Sequence, residues 1–327
     1  MDKIEIYGIE KLEGNIKISG SKNSSLPILA ATLLLEGQSR ITNVPNLTDV
    51  LFMLKILKSL SSNVNFNNSI CEIKPNIPKN LKVSYELVRK MRASFLILGP
   101  LLAKYGQAEI SLPGGCAIGT RPVDIHIKAL EKMGAQFLIK DGYIKGIVNG
   151  KLKGCEIKFR KISVGATENL IMAATLAEGN TIIKNAACEP EISDLSNFLI
   201  ESGAEITGHG TSTIKIKGKK RLIGCEYNVM PDRIEAGTFA LSVMGCSGKV
   251  VLENVNDLVS THLKSIFKPL NLLSLKKKDN GKILIVKKLK EKFKEIKVYT
   301  EEFPGFPTDL QAQLTASLMK SQGQSCV

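Results

Sequence analysis

The segment LPILAATLLLEGQSRITNV, residues 26–44, joins an apolar helical stretch, a glycine and a β-type strand. The same order recurs in four further segments, FLILGPLLAKYGQAEISLP (95–113), LIMAATLAEGNTIIKNA (170–186), FALSVMGCSGKVVLENV (239–255) and LTASLMKSQGQSCV (314–327). The five glycines, Gly37, Gly106, Gly179, Gly248 and Gly323, are 69, 73, 69 and 75 residues apart. Glycine suits the left-handed residue that ends a helix, so each segment predicts a helix followed by a strand. The regular spacing indicates an internal repeat.

A second amphipathic helix is predicted after the strand of each repeat. In three repeats an aspartate stands before this helix, at Asp49, Asp124 and Asp194. Because aspartate is a favoured N-cap residue, capping is the structural interpretation of all three. Each repeat then reads strand, helix, strand, helix, strand. This alternation predicts an α/β (or α+β) fold.

The number of repeats also predicts the domain organisation. Pairing three repeats with three gives one domain at 22–229 and a second formed by 1–21 plus 230–327. The fifth repeat stops soon after its glycine, so about five of six repeats are present. We therefore expect a C-terminally truncated chain, in which this repeat lacks roughly 50 residues and a sixth repeat would follow.

The composition is that of a globular protein with a basic surface. Hydrophobic residues make up 43% of the chain and charged residues 23%, and the formal net charge is +14. The densest cationic patch, between Lys276 and Lys297, is interpreted as a solvated surface, or as part of a field that attracts a small anionic ligand. Aromatic residues are only 5% and Trp is absent, and the lysines are scattered, so no nucleic-acid partner is expected.

Cysteine and histidine usage excludes a metal site of the usual kinds. The seven cysteines and three histidines form neither a Cys-x-x-Cys pair nor a Cys/His cluster, so no metal is expected and a reducing compartment fits. The N-terminus has no signal-peptide pattern, and no apolar run reaches the roughly 20 residues that span a bilayer. We expect a cytoplasmic chain without a membrane partner.

Two segments that precede predicted helices are suited to anions. In SGSKNSS, residues 19–25, hydroxyl residues and a glycine come before a helix predicted to start at Leu26-Pro27. Free backbone N–H groups and the helix dipole favour an anion there, and Lys22 adds a full charge. The run Lys161-Ile-Ser163-Val164-Gly165 repeats the pattern and suits a diphosphate. A capped helix with an exposed lysine would have the same sequence.

The second repeat contains a longer, glycine-rich loop. From its glycine to the aspartate of its second helix the distance is 18 residues, compared with 12 in the first repeat and 15 in the third. The extra residues fall in PGGCAIGTRPVD, residues 113–124, which predicts a lid-like loop. Cys116 lies five residues before Arg121, and a nearby guanidinium favours the reactive thiolate. The alternative is that Cys116 is a small apolar filling residue.

Acidic residues take the corresponding positions in the fourth and fifth repeats. Asp232 lies in MPDRIEAG (230–237) and Asp309 in FPTDLQA (306–312). Each is either an N-cap or a general base at a cleft. Cationic helix starts in one domain and carboxylates in the other predict a charged cleft that binds an anionic substrate and removes a proton.

These motifs together are highly specific. The chain resembles the enolpyruvyl transferases of peptidoglycan synthesis over essentially all 327 residues, through SGSKN, RAS, PGGCAIGTRPVD, SVGAT, PDRIEAGT and FPTDLQAQ. The resemblance implies an EPSP synthase-like fold, a two-domain inside-out α/β barrel of repeated βαβαββ units. It also implies domain closure and addition–elimination transfer of the enolpyruvyl group of phosphoenolpyruvate to the 3-hydroxyl of UDP-N-acetylglucosamine, in a monomer without a cofactor.

The resemblance also implies roles for individual residues. Cys116 would protonate the enol methylene or form a covalent adduct, and Lys22 and Arg121 would hold phosphoenolpyruvate. Asp309 would take the proton of the sugar hydroxyl or help to position it. The implied substrate-binding residues are Lys22, Asn23, Arg92, Arg121, Pro122, Val123, Asp124, Ile125, Lys161, Ser163, Val164, Gly165 and Asp309. The family continues beyond the counterpart of Val327, so the alternative is a truncated, non-catalytic remnant that keeps partial sugar-nucleotide binding.

Overall fold

The structure is a computed structural model that describes residues 3–9, 11–88, 91–111, 123–290 and 292–327. The α-helices of these residues are α1 (Lys22–Ala31), α2 (Thr48–Ser59), α3 (Tyr85–Val88), α4 (Leu98–Tyr105), α5 (Asp124–Lys132), α6 (Val164–Ala174), α7 (Pro190–Glu201), α8 (Arg233–Gly245), α9 (Asp257–Phe267) and α10 (Gln311–Leu318). Short 3-10 helices are Thr32–Leu34, Arg92–Ile97, Asp279–Gly281 and Thr308–Leu310.

The strands of the described residues are β1 (Leu12–Lys17), β2 (Leu35–Glu36), β3 (Ser39–Thr42), β4 (Asn63–Asn67), β5 (Ile70–Lys74), β6 (Lys82–Val83), β7 (Gln107–Ser111), β8 (Ala135–Lys140), β9 (Tyr143–Val148), β10 (Glu156–Lys158), β11 (Asn180–Lys184), β12 (Glu205–Thr207), β13 (Thr213–Lys217), β14 (Leu222–Ile223), β15 (Glu226–Asn228), β16 (Gly248–Glu253), β17 (Leu273–Lys278) and β18 (Ile283–Lys288). The chain divides into two compact units, Gly20–Met230 and Met1–Ser19 with Pro231–Val327.

Four four-stranded sheets share one strand order, which confirms the predicted repeat. The orders are β15-β3-β5-β4, β6-β7-β9-β8, β10-β11-β13-β12 and β1-β16-β18-β17. In each sheet the first two strands are parallel, and the other two form an antiparallel hairpin. The leading strand comes from a different repeat than the three strands it joins. The sheets are separate from one another, so the described strands form no closed barrel.

Helices form the centre of the unit Gly20–Met230. Every residue from Ser24 to Ala31 in α1 is buried, and so is every residue from Ala166 to Ala174 in α6. A helix that is buried all round lies inside a core rather than on its surface. The sheets cover these helices with one face only, as the alternating burial of β11 and β13 shows. The first turns of α1 and α6 are therefore fixed by the core behind them.

In its described residues, the second unit contains one of the four sheets and three α-helices. Strand β1 leads its sheet, with Leu12 paired to Gly248 and Lys17 to Glu253. Helix α8 packs against this sheet and against α10. Helix α9 connects β16 to the hairpin of β17 and β18. This arrangement sets the position of the segment that carries Asp309.

The helix-ending glycines all adopt the left-handed conformation, but only one of them is a cap. The φ angles of Gly37, Gly106, Gly179, Gly248 and Gly323 are 84°, 70°, 86°, 108° and 103°. Gly106 directly caps α4, where its N–H donates to the Leu102 carbonyl. The expected cap is wrong at Gly37 and Gly179, because α1 ends at Ala31 and α6 at Ala174, several residues earlier.

The expected aspartate caps are wrong in all three repeats. The residues before α2, α5 and α7 are Leu47, Val123 and Glu189, and none of them caps through its side chain. Asp49 and Asp124 lie in the first turn instead, where a carboxylate still favours the helix dipole. Asp194 is the fifth residue of α7 and is buried. Its carboxylate therefore has a role other than capping.

The first helix also begins earlier than expected. Helix α1 starts at Lys22, not at Leu26, because the Ser21 side chain accepts a hydrogen bond from the Ser24 N–H and caps the helix there. Pro27 then lies inside the helix rather than at its start. As a result Lys22 and Asn23 are the first two helical residues.

Candidate active site

The start of α1 brings a lysine and an asparagine to a capped helix terminus. Lys22 and Asn23 are both half-buried. The Lys22 ammonium lies 3.2 Å from the Asp49 carboxylate on the first turn of α2. The side chain of Asp49 is about as exposed as that of Lys22. An anion that approached the α1 terminus would meet a cation that is already paired with an acid of the same unit.

The start of α6 has the same construction. Ser163 is its N-cap, and its hydroxyl accepts a hydrogen bond of 3.3 Å from the Ala166 N–H. Val164 and Gly165 are its first two residues, and Lys161 is exposed just before them. A serine cap, a nearby lysine and a positive helix end thus occur twice in the unit Gly20–Met230, which is suited to two anionic groups.

Helix α5 packs against α6 and adds three of the expected ligands. Val123 precedes α5, and Asp124 and Ile125 are its first residues. Asp124 is exposed and lies 3.4 Å from the Lys128 ammonium one turn later. The imidazole of His126 lies over the α6 terminus, since a Cβ atom at Gly165 would stand 3.4 Å from its Cε1. The structure therefore brings the segment 123–125 together with Ser163, Val164 and Gly165.

His126 belongs to a polar cluster that sequence reasoning missed. The buried amide of Asn169 donates to the Phe95 carbonyl over 2.9 Å, and its nitrogen is 3.0 Å from His126 Nδ1. Its oxygen accepts the Gly99 N–H at 2.6 Å, which fixes the orientation of the amide because a backbone N–H can only donate. His126 Nδ1 is then the acceptor, and Nε2 carries the proton.

The charge state of His126 follows from its surroundings. Burial lowers its pKa to about 4, and the charge of Asp124 opposes this only in part. The ring edge of Phe95 contacts the imidazole, with centroids 5.2 Å apart and planes at 88°. His126 is therefore neutral at neutral pH and offers one N–H donor. The sequence signal was weak, since a lone histidine between apolar residues reads as part of a core.

Three glutamates gather near the starts of α6 and α7. Glu168, Glu189 and Glu191 are buried residues that are 5%, 9% and 3% exposed. Burial raises the pKa of Glu168 well above its usual value, and the charges of Glu191 and Glu189 raise it further. Sequence reasoning missed this cluster because Glu168 falls within an apolar helix. The Glu168 carboxyl therefore keeps its proton to a higher pH than an exposed glutamate does.

Several of the expected site residues lie outside the described part of the chain. Cys116, Arg121 and Pro122 fall in residues 112–122, and their placement relative to Lys22 therefore stays a prediction. Arg92 begins the 3-10 helix Arg92–Ile97, but its side chain lies outside the described residues. Among the described residues, no group of three or more His, Cys, Asp or Glu side chains could hold a metal ion.

Asp309 in the second unit is an exposed carboxylate on a firmly packed segment. It lies in Thr308–Leu310, next to α10, and it does not cap a helix. The neighbouring Leu310 packs on α8 at Gly237, where a Cβ atom would stand 2.6 Å from Leu310 Cδ1. Further along, Ser317 donates to the Leu241 carbonyl over 2.7 Å. Asp309 is thus exposed to solvent on a segment that the core holds in place.

Aromatic contacts hold the segment before Asp309 on α9. The rings of Phe306 and Phe267 are 6.3 Å apart, and those of Phe303 and His262 are 4.9 Å apart.

Asp232, by contrast, is an ordinary N-cap. Its carboxylate accepts the N–H groups of the second and third residues of α8 at 2.8 and 3.0 Å. Of the two acids, Asp309 is the one whose carboxylate is not used by the backbone of a helix.

Comparisons with known proteins define the class. Residues 6–327 match the family described as EPSP synthase (3-phosphoshikimate 1-carboxyvinyltransferase). The fold is similar to that of the enolpyruvyl transferase NikO from Streptomyces tendae, with a TM-score of 0.84, 18% identity, and coverage of 98% of this chain and 75% of that one. EPSP synthase from Acinetobacter baumannii is also similar, with a TM-score of 0.75, 21% identity, and coverage of 98% and 74%.

Closer relatives narrow the class to one enzyme. UDP-N-acetylglucosamine 1-carboxyvinyltransferase of Nitratidesulfovibrio vulgaris (strain DP4) is 47% identical over 332 residues, which cover 100% of this chain and 77% of the relative. The enzyme of the same name from Pelagibacter ubique (strain HTCC1062) is 47% identical over 99% of this chain and 77% of its own. The chain belongs to the EPSP synthase family and, within it, to the UDP-N-acetylglucosamine 1-carboxyvinyltransferases.

Proposed function

We propose that this chain transfers the enolpyruvyl group of phosphoenolpyruvate to the 3-hydroxyl of UDP-N-acetylglucosamine and releases phosphate. This reaction is the first committed step of peptidoglycan precursor synthesis. The observation that carries the proposal is 45–47% identity over essentially the whole chain to enzymes of that name. The two serine-capped helix starts in the unit Gly20–Met230 support it, because both substrates are anionic.

Binding of the sugar nucleotide is assigned to the paired starts of α5 and α6. The uridine would be bound by Arg121, Pro122, Val123, Asp124 and Ile125. The diphosphate would lie at the α6 terminus, where backbone N–H groups and the helix dipole favour a negative charge.

The residues of the α6 terminus assigned to the diphosphate are Lys161, Ser163, Val164 and Gly165. Asn23 and Arg92 would contact the sugar. The close approach of helix α5 to Gly165 supports this assignment, since the two groups of residues then serve one ligand.

Phosphoenolpyruvate is assigned to Lys22 and Arg121, two cations that match its phosphate and carboxylate. In the addition step, the Cys116 thiol protonates the methylene carbon. The sugar 3-hydroxyl oxygen bonds to the central carbon, and its proton passes to Asp309. In the elimination step, the Cys116 thiolate left by the addition takes a proton back from the methyl group while the bond from carbon to phosphate oxygen breaks, which restores the thiol and the vinyl group and frees phosphate.

No helix of the described residues is long and apolar enough to cross a membrane. The proposal includes a monomer in the cytoplasm that supplies cell-wall synthesis and, through it, cell shape, the cell cycle and division. The similarity over the full chain does not favour the alternative of a non-catalytic remnant with partial sugar-nucleotide binding.

The test is phosphate release from phosphoenolpyruvate in the presence of UDP-N-acetylglucosamine. We expect release that depends on the sugar nucleotide and that falls to background in Cys116→Ala. We also expect Asp309→Asn to lower kcat by about 100-fold, the usual scale for a general base. Asp279→Asn, another exposed aspartate of the same unit, is the control and should leave kcat within twofold. A wild-type chain that releases no more phosphate than Cys116→Ala would overturn the proposal.

A further inference from the structure

A buried carboxylate on α7 organises polar groups from three parts of the unit Gly20–Met230. Asp194 is 8% exposed. Its Oδ2 accepts a hydrogen bond of 2.5 Å from the Ser24 hydroxyl and one of 3.1 Å from the Met230 N–H. Its Oδ1 accepts the Tyr227 hydroxyl at 2.7 Å. The carboxylate therefore connects α7 to the first turn of α1 and to the segment that follows β15.

The three donors explain why an acid occupies this buried position. A backbone N–H can only donate, so the atom that faces Met230 must be an acceptor. Burial raises the pKa of Asp194, whereas the hydrogen bonds from Ser24, Tyr227 and Met230 act in the opposite direction. Hydrogen bonds to a carboxylate are stronger than those to a neutral oxygen. An amide in place of the acid could not accept all three of these bonds.

The hydrogen bonds of Asp194 close a ring around the start of α1. Ser24 donates its N–H to the Ser21 hydroxyl over 3.2 Å. Ser21 donates its own N–H to the Met230 carbonyl over 2.8 Å. The Met230 N–H in turn donates to Asp194 Oδ2, which completes the ring. Lys22 and Asn23 lie between Ser21 and Ser24 in the chain, so the ring holds both ends of the turn that carries them.

We infer that Asp194 is a positioning residue that fixes the Lys22–Asn23 turn for phosphoenolpyruvate and the sugar. This inference rests on the proposed function, which assigns those two residues to the substrates. Asp194 acts by two routes, through the Ser24 hydroxyl and through the Met230 peptide. Tyr227 also contacts Asp194, but it donates to the other oxygen and is not part of the ring.

This difference supplies a matched control. Asp194→Asn removes the carboxylate that joins Ser24 to Met230 in the ring, and Ser24→Ala removes the route from Asp194 to α1. Tyr227→Phe removes a hydrogen bond to the same carboxylate that is not part of the ring. The Tyr227 ring packs edge-on against Phe198, with centroids 5.5 Å apart, and this contact remains in Tyr227→Phe. Ser24→Thr keeps the hydroxyl and serves as the conservative variant.

The first measurement is steady-state kinetics of the full chain. We expect Asp194→Asn and Ser24→Ala to raise KM for phosphoenolpyruvate by about tenfold or more, because small misplacements of binding groups are costly. Tyr227→Phe should stay within twofold, and Ser24→Thr should recover most of the loss. An equal rise of KM in Tyr227→Phe and Asp194→Asn would overturn the inference, since it would indicate general loosening of the fold.

The second measurement does not need activity. Hydrogen exchange of the Ser21 and Ser24 amides should be about tenfold faster in Asp194→Asn and Ser24→Ala than in the wild type, and unchanged in Tyr227→Phe. If Asp194→Asn fails to fold, Ser24→Ala decides. Unchanged exchange in the folded variants would overturn the positioning role. Absence of phosphate release from the wild type, with exchange behaving as expected, would overturn the proposed function alone.

Discussion

The ammonium of Lys22 lies 3.2 Å from the Asp49 carboxylate, so the cation assigned to phosphoenolpyruvate is paired across the first turns of α1 and α2. Both side chains are more than a third exposed, and an ion pair of this kind contributes about 1 kcal/mol or less. The pair can therefore open when a more highly charged anion arrives.

Replacing Asp49 tests this competition. Asp49→Asn should lower KM for phosphoenolpyruvate, by at most about fivefold, because the ammonium no longer has to leave a carboxylate. Lys22→Ala should raise it by at least tenfold, since a charge-assisted contact is lost. Initial-rate kinetics at fixed UDP-N-acetylglucosamine measure both effects. A rise of KM in Asp49→Asn would mean that Asp49 orients Lys22 rather than competes for it.

Gly99 is a point of close contact between α4 and α6. A Cβ atom there would stand within 2.5 Å of the Asn169 carbonyl oxygen, and the Gly99 N–H donates to the Asn169 side chain. Gly99→Ala should therefore destabilise the fold by about 1–3 kcal/mol, as overpacking does. Urea denaturation measures the change. Gly8→Ala is the control, because a Cβ at Gly8 meets nothing within 4 Å. Equal midpoints for the two variants would contradict the prediction.

Glu168 predicts a dependence of stability on pH. Its pKa is raised by burial and by Glu191 and Glu189, so the folded chain keeps a proton that the unfolded chain releases above about pH 4.5. Since the unfolded state then binds fewer protons, stability attributable to Glu168 falls as the pH rises from 4.5 towards the folded pKa.

Replacing the Glu168 carboxylate should therefore stabilise the fold only at higher pH. Glu168→Gln should raise the melting temperature relative to the wild type at pH 8 and leave it nearly unchanged at pH 4.5. Thermal unfolding followed by circular dichroism at the two pH values measures the difference. Glu156→Gln, at an exposed glutamate, should show no such gain. A gain for Glu168→Gln that is the same at both pH values would contradict the buried, protonated state.

For His126 we predict the opposite dependence of stability on pH. Burial lowers its pKa to about 4, so between pH 6.5 and 4 this histidine binds a proton in the unfolded chain but not in the folded chain. Stability due to His126 is complete above pH 6.5 and is lost as the pH falls through that range, by up to about 3 kcal/mol. NMR titration of its imidazole C–H signals should give a midpoint near pH 4. A midpoint near 6.5 would contradict the burial of His126 against Asn169.

The repeat and the helix starts could be predicted from the sequence to different extents. The period of the apolar segments predicts a repeated α/β unit, and the common strand order of the four sheets confirms it, but the period does not indicate that each leading strand comes from another repeat. The start of α1 was misplaced because Pro27 looked like a first-turn proline, whereas the Ser21 cap decides the position. The start of α7 had a usable signal in Pro190, which occupies its first position and leaves Asp194 in the interior.

The polar contacts of the site could not be predicted in the same way. The amide of Asn169 contacts His126 across 43 residues of sequence, and Asp194 contacts Ser24 across 170. No local pattern encodes such pairs, because they depend on how whole helices pack. The boundaries between the two units were easier to predict, because they follow from the repeat period along the sequence. They lie at 19/20 and 230/231, close to the 21/22 and 229/230 that the repeats suggest.

The leading strand of the sheet formed by the first repeat has a consequence for synthesis of the chain, because it follows its partner in the sequence. In the sheet of the first repeat, β15 pairs with β3, so that Glu226 lies beside Arg40. While a ribosome is still producing the intervening residues, β3 has an unpaired edge. At the usual 5–20 residues per second, this nascent edge is exposed for about 10–40 s. Exposed strand edges are sites of aggregation, and a chaperone that shields residues 39–42 during that interval would protect the emerging polypeptide.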